Sequence, residues 1–352
     1  MSTMKDLLKA MVEQGSSDLH LTAHTPPHLR IDGRLVPLAN QPNLTPDQVK
    51  ALCFELLSDD QKKEFEAQRE LDFSLEVAGL ARARVNLSWQ RNTVAGAFRT
   101  IPIAIPKPET LGIPAAAIAL TQKPRGLVLV TGPTGSGKST TLASLIDLIN
   151  ANQALHILTL EDPIEFVHQN KKSIVCQREV GTDTHRFDVG LKYALRQDPN
   201  VILVGEMRDL ETIAAAITIS ETGHLVFATL HTNTAVQSIN RIIDVFPPHQ
   251  QPQIRTQLSF ILEGILSQQL LPHIHGGRVM AAELLIPNHA IRNLIREDKI
   301  HQVQTLMQVG QKESGMMTLN QSLAEHVKKS NITMEVALAR CTDQSELRKL
   351  VE

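Results

Sequence analysis

Residues 132–139 read Gly-Pro-Thr-Gly-Ser-Gly-Lys-Ser, and few stretches of eight residues restrict a fold more. The pattern G-x-x-x-x-G-K-[ST] works as a loop between a β-strand and the first turn of a helix. There the glycines let consecutive backbone N–H groups turn inward around phosphate oxygens, and the helix N-terminus adds positive potential. Both flanks comply: GLVLVT before the loop has the length and apolarity of a buried strand, and TTLASLIDLIN after it reads as a helix. Gly132, Pro133, Thr134, Gly135, Ser136, Gly137, Lys138, Ser139 and Thr140 are therefore the expected nucleotide contacts. Lys138 would reach the β- and γ-phosphates of ATP, and the Ser139 hydroxyl would ligate Mg2+.

The surrounding sequence supports this placement. Short apolar runs (GLVLVT, HILTL, VILVG, LVFATL) alternate with helical segments, as strands of a parallel sheet buried on both faces do. Beyond residue 247 the chain reads as mostly helical. Glu206 follows VILVG, and a strand beside the phosphate-loop strand would deliver this carboxylate to the γ-phosphate. There it could orient or deprotonate the attacking water and contact magnesium through water. Gly205 stands where many phosphate-loop enzymes carry a magnesium-supporting aspartate. HILTL ends in Glu161-Asp162-Pro163-Ile164-Glu165, where the proline would hold the carboxylates extended at the same sheet edge; a plain acidic loop fits equally well. LVFATL lies between His224 and His231, two imidazoles able to sense a γ-phosphate or a neighbouring subunit. Isolated histidines are more often structural, and a strand of about seven residues, over roughly 20 Å, sets these two too far apart to share a metal.

The N-terminal part follows a different rhythm. Met4, Leu7, Leu8, Met11 and Val12 follow helical spacing up to Gly15, and Asp32-Gly33 between two alternating runs signals a tight hairpin. Thr45-Pro46-Asp47-Gln48 is a capping box with proline at the first helical position. LDFSLEVAGLARARVNLSWQRNTVAGAFRT alternates with period two, as a β-meander does. Together these make a small α+β domain over 1–101, followed by a proline-rich linker over 102–117 and the α/β domain over 118–352. In the meander Arg82 and Arg84 share a strand face, with Arg91 and Arg99 expected on later strands. Such arginines are usually just solvated, but they are also suited to contact phosphate in trans.

Composition narrows the function. Charged residues make up 20% of the 352-residue chain and the net charge is −2, so the basic excess of a dedicated nucleic-acid binder is missing. Trp89 is the single tryptophan, too few for a base-stacking platform. Cys53, Cys176 and Cys341 lie far apart without C-x-x-C pairing, which points to a reducing compartment. MSTMKDLLKAMVEQG has no apolar core of a signal peptide, and no apolar run has the length of a membrane span. A cytoplasmic location is expected, with any membrane association made through a partner.

The segments GPTGSGKST, LEDPIEF, VILVGEMRD and GHLVFATLHTNTA occur in the order of the Walker A, Asp box, Walker B and His box of the secretion ATPase superfamily. The chain resembles that superfamily over essentially its whole length, GSSDLHL and PPHLRIDG included. It lacks the four-cysteine zinc insertion of many assembly and secretion members. Residues 290–297 read AIRNLIRE, a motif typical of the members that retract type IV pili.

The resemblance implies a PAS-like N-terminal domain, a RecA-like ATPase domain and a homohexameric ring with nucleotide bound between domains. By the same resemblance Glu206 is the general base, Glu161 and Glu165 take a magnesium-water or catalytic role, and His224 and His231 sense phosphate or an interface. Arg82 and Arg99 are the arginines expected to reach the phosphates. The implied partners are an inner-membrane pilus platform protein and a paralogous retraction ATPase, at the cytoplasmic base of the pilus, with twitching motility as the outcome. An accessory paralogue, an extension or secretion ATPase and a RecA-like nucleic-acid translocase are the alternatives. Asn200, where relatives commonly have aspartate, is expected to stand clear of the chemistry.

Overall fold

The computed structural model describes residues 2–31, 33–77, 81–101, 104–309 and 314–352. They form two compact units, one of Met1–Ala104 with Pro163–Val167 and one of Ile105–Asp162 with His168–Glu352.

The first unit begins with α1 (Met4–Glu13), opened by a Thr3–Asp6 capping box that satisfies free N–H groups of its first turn. Strands β1 (Asp18–Leu21), β2 (His28–Ile31) and β3 (Arg34–Pro37) follow. Next come α2 (Pro46–Phe54), capped by Thr45 and Gln48 with Pro46 in its first turn, and α3 (Asp59–Gln68). The α3 helix buries only Phe65, so no apolar stripe announces it in the sequence. The meander is β4 (Glu70–Val77), β5 (Ala81–Gln90) and β6 (Thr93–Ile101). The sheet order is β3-β2-β1-β6-β5-β4, and all neighbours are antiparallel. Strands β2 and β3 pair up to Ile31 and Arg34, as a hairpin requires; Asp32 lies outside the described residues. Arg91 is not on a strand: it sits at φ 45° in the turn between β5 and β6.

Alternation decides the two faces of this sheet. Leu19, Leu29, Val85, Leu87 and Phe98 share one core with Met4, Leu7 and Met11 of α1 and Val49 and Cys53 of α2. Each fully buried Leu or Phe contributes about 2–3 kcal/mol. The intervening residues, including Asp18, Arg30, Arg84 and Arg99, point to the other face.

The second unit contains α4 (Ala115–Ala119), β7 (Gly126–Thr131), α5 (Lys138–Asn152), β8 (His156–Glu161), β9 (Ile174–Glu179), α6 (Phe187–Ala194), β10 (Val201–Val204), α7 (Leu210–Glu221), β11 (Leu225–Leu230), α8 (Ala235–Asp244) and α9 (Gln251–Ile261). It continues with β12 (Leu262–Pro272), β13 (Arg278–Leu285), α10 (His289–Arg296), α11 (Val303–Val309), α12 (Leu319–Lys328), α13 (Met334–Leu338) and α14 (Gln344–Val351). The α4 helix starts inside the stretch expected to be linker, because its alanines favour helix once the prolines stop.

The sheet order is β13-β12-β7-β11-β10-β8-β9, parallel except for the β12–β13 hairpin. Both faces are covered: Leu127 and Leu129 of β7 belong to one core, Val128 and Val130 to another. Two expectations need correction here. The region beyond 247 is helical apart from a hairpin that the sequence reading missed, β12 and β13, which turn at Gly276-Gly277, both at positive φ. And the strand before Glu206 does not lie beside the phosphate-loop strand; β11 is inserted between β7 and β10. Among the described residues no helix is long and apolar enough to cross a membrane.

Candidate active site

Because β7, β8, β10, β11 and β12 are parallel, their C-terminal ends share one edge of the sheet, where α/β folds bind ligands. The phosphate-loop pattern leaves β7 there and enters α5 at Lys138. Gly132, Gly135 and Gly137 all have positive φ. At Gly132 the requirement is also steric, since a Cβ would stand 2.3 Å from the Gln268 carbonyl oxygen. The Lys138 ammonium folds back to donate to the carbonyls of Gly132 (2.8 Å) and Pro133 (3.1 Å). Ser136 Oγ is buried and has no hydrogen-bond partner among the described residues. A buried hydroxyl left unpaired costs about 1–3 kcal/mol, which a phosphate oxygen in the loop would relieve. Pro133, Thr134 and Gly135 are exposed at the rim, and Ser139 and Thr140 are half-buried in the first turn of α5.

Glu206 lies just beyond β10. The end of β11 holds this loop in place: Thr229 Oγ1 donates to Gly205 O (2.5 Å) and Met207 N donates to Thr229 O (3.1 Å). Gly205 itself is hemmed in, a Cβ there standing 3.1 Å from both Leu160 O and Glu161 Cα. Arg208 chelates the Glu206 carboxylate, Nε to Oε1 at 2.6 Å and Nη2 to Oε2 at 2.7 Å. His231 Nε2 stands 3.2 Å from Oε1. Burial pushes the Glu206 carboxyl upward, but the hydrogen bonds and charges of Arg208 and His231 outweigh it and hold it below the ordinary range. Glu206 is thus held in its ionised form.

Glu161 ends β8, and its Oε1 accepts from Thr159 Oγ1 (2.7 Å) and Gln177 Nε2 (3.2 Å). It shares the edge with Glu206, while Glu165 belongs to the segment of the first unit. His224 and His231 part company. His231 follows the C-terminal end of β11, but His224 precedes its N-terminal end, across the sheet, with Nδ1 near Ile219 O and Thr222 Oγ1. His224 is therefore not at the phosphate edge of its own chain. Asn200 lies at that same far edge, bonded to His156 through backbone and side chain. Arg82 and Arg99 are in the first unit: Arg82 Nη2 donates to Ser74 Oγ (2.6 Å), and Arg99 Nε donates to Asp18 Oδ1 (2.9 Å).

Three contributors carry no role in the sequence reading. Gln268 of β12, nearly fully buried, donates from Nε2 to Ser136 O (2.7 Å) and pins the loop. The glycine pair between two apolar runs is the hairpin signal that could have located it. Arg208 lies within VILVGEMRD and Asp18 within GSSDLHL, but no local pattern tells which charge each one meets.

Among the described residues no cluster of His, Cys, Asp or Glu could hold a metal by itself. Oxygen donors such as the Ser139 hydroxyl and the Glu206 carboxylate suit magnesium, which usually completes its shell with water and phosphate oxygens. In AIRNLIRE, Ile291 and Ile295 of α10 are buried. Arg292 donates to the Ser259 and Phe260 carbonyls ending α9 and pairs with Glu263. Arg296 lies over the exposed Phe260 ring.

Comparison with known proteins agrees with this arrangement. The family model described as type II/IV secretion system protein matches residues 113–340. The chain is 51% identical over 332 residues to the type IV pilus retraction ATPase PilT of Pseudomonas aeruginosa, covering 94% of this chain and 96% of the relative. It is 46% identical to a twitching motility protein of Neisseria gonorrhoeae over 97% of this chain and 91% of the relative. A crystal structure of the pilus retraction motor PilT with bound ADP superposes with a TM-score of 0.94 at 51% identity, covering 99% of this chain and 100% of that one.

Proposed function

The chain belongs to the type II/IV secretion system protein family, and on that premise we propose that it is a motor ATPase driving retraction of type IV pili. What carries the chemistry is the shared sheet edge, where Glu206 and the Lys138-bearing loop leave parallel strands of one sheet. The phosphate loop holds the β- and γ-phosphates of ATP through its N–H groups, Lys138 and Ser136 Oγ. Glu206 accepts a proton from the attacking water as the oxygen bonds to the γ-phosphorus and the bond to the β-phosphate oxygen breaks, leaving ADP and phosphate. Ser139 and, through water, Glu206 would hold magnesium, which would supply charge neutralisation on the phosphates. Glu161, Glu165 and His231 orient water around this centre, and His224, at the far sheet edge, serves an interface between subunits.

Arg82 and Arg99 act in trans, from a neighbouring copy, within a homohexamer. Nucleotide-dependent closure of the subunits turns an inner-membrane platform protein, with a paralogous ATPase as a further partner at the cytoplasmic base of the pilus. The identity to the retraction ATPase of Pseudomonas supports the direction of movement.

Counting surface pili tests this in cells lacking the chain and in cells carrying Glu206→Gln. Excess pili that do not retract are expected in both. Bald cells would assign the chain to extension, and unchanged pili to an accessory or different machine.

A further inference from the structure

The polar face of the first unit's sheet carries a row of charges set by strand register. Arg84 is the cross-strand partner of Arg99, Arg99 of Asp18, and Asp18 of Arg30. Directly opposed residues share a face, so three guanidiniums and one carboxylate lie side by side across four strands. Asp18 is the buried member, its side chain only 10% exposed, whereas that of Arg99 is 69% exposed. One carboxylate oxygen accepts from Arg99 Nε at 2.9 Å; the other accepts from Ser17 Oγ at 2.8 Å and lies 3.6 Å from Arg30 Nε.

The nitrogen used decides the outcome. A guanidinium gripped through Nη would spend its outward fork on the carboxylate. Gripped through Nε, it is fixed in direction, and among the described residues its terminal nitrogens make no other hydrogen bond. Arg84 and Arg99, like charges directly opposed, destabilise the row, and an oxyanion seated on them removes that cost.

We infer that Asp18 is the positioning residue for Arg99, holding its guanidinium by the inner nitrogen so that the outer fork, flanked by Arg84, meets a phosphate group. This rests on the reading of Arg99 as a trans-acting arginine. Asp18 touches no phosphate; it acts through Arg99.

The test uses the full-length chain as Asp18→Asn, Arg99→Ala and the double variant. The readouts are kcat, KM, the affinity for a fluorescent ATP analogue and the thermal midpoint. Arg99→Ala is expected to lower kcat severalfold to a hundredfold. Asp18→Asn is expected to lower it by about tenfold with a smaller change in KM, the scale expected of a misdirected group. The double variant should be no slower than Arg99→Ala alone, because Asp18 then has nothing left to position. Losses that multiply, or an Asp18→Asn enzyme of full activity beside an impaired Arg99→Ala, overturn the inference and leave the role of Arg99 standing. A fully active Arg99→Ala removes that role, and the inference with it. Should Asp18→Asn not fold, Ser17→Ala loosens the same carboxylate: a loss present with Arg99 and absent in Arg99→Ala is expected, and equal loss in both backgrounds overturns the inference.

Discussion

Each of the two units contains an arginine–carboxylate pair, and the pairs are built in different ways. In the first unit the buried Asp18 takes the inner nitrogen of Arg99 and leaves the fork outside. In the second, Arg208 gives both Nε and Nη2 to Glu206, so its side edge is occupied and both carboxylate oxygens are engaged. The same two chemical groups therefore present an arginine in one place and restrain a carboxylate in the other. The contrast teaches that an ion pair is read from the atoms it uses. Since the Arg208 side chain is 74% exposed, its hold on Glu206 is worth at most about 1 kcal/mol and is released easily.

The comparison breaks most sharply at the carboxylate assigned to chemistry. Glu206→Gln keeps the shape and one hydrogen bond to Arg208 but removes the proton acceptor; hydrolysis is expected to fall by about 10²–10⁴-fold with ATP binding retained. Substantial turnover in that variant would remove Glu206 from the role of base. A comparable collapse is expected for Gly132→Ala, since its Cβ would meet the Gln268 carbonyl at 2.3 Å; nucleotide affinity is the measurement, and near-normal binding would mean that the strand can yield.

Arg208→Gln sharpens the distinction through pH. The Glu206 carboxyl is pushed up by burial and held below its ordinary range by Arg208 and His231. Without Arg208 the upward push is less opposed, so the acid limb of the kcat/KM profile should move to higher pH. Asp18→Asn should leave that limb in place, because Asp18 positions an arginine and transfers no proton. Identical limbs in Arg208→Gln and the parent would show that chelation does not tune Glu206.

Asp18 should instead register in stability. Despite burial, which raises it, its carboxyl lies below the ordinary range through bonds to Ser17 and Arg99. The folded value is depressed, so the stabilisation is fully present above about pH 4 and disappears as pH falls through the lowered folded value. Urea unfolding from pH 5 downward should therefore be less steep with pH in Arg99→Ala than in the parent. The smallest effect is expected from a neutral contact. Gln268→Ala removes one bond to Ser136 O, about 1 kcal/mol, and should weaken nucleotide binding severalfold without moving either pH dependence.

Much of this architecture is legible in the residues themselves. The phosphate-loop pattern, the apolar runs of β7, β8, β10 and β11, the Thr45 capping box and the alternation of the meander all report local preference and burial, which sequence periodicity encodes directly. The candidate site is legible as far as its residue types and their places after strands. The hairpin β12–β13 was hidden because buried apolar runs look alike as helix and strand, and with it went Gln268.

By itself, then, the sequence determined a phosphate loop between strand and helix, a carboxylate after a second buried strand, and an arginine-bearing meander. Only the tertiary structure decided that β11 separates β7 from β10, that His231 joins Glu206 while His224 lies at the opposite edge, and that Asp18 meets Arg99 by its inner nitrogen. The physical reason is that periodicity states how deeply each residue is buried, whereas strand order and register state who its neighbour is. Neighbours across a sheet are chosen by non-local pairing, which no stretch of local sequence contains.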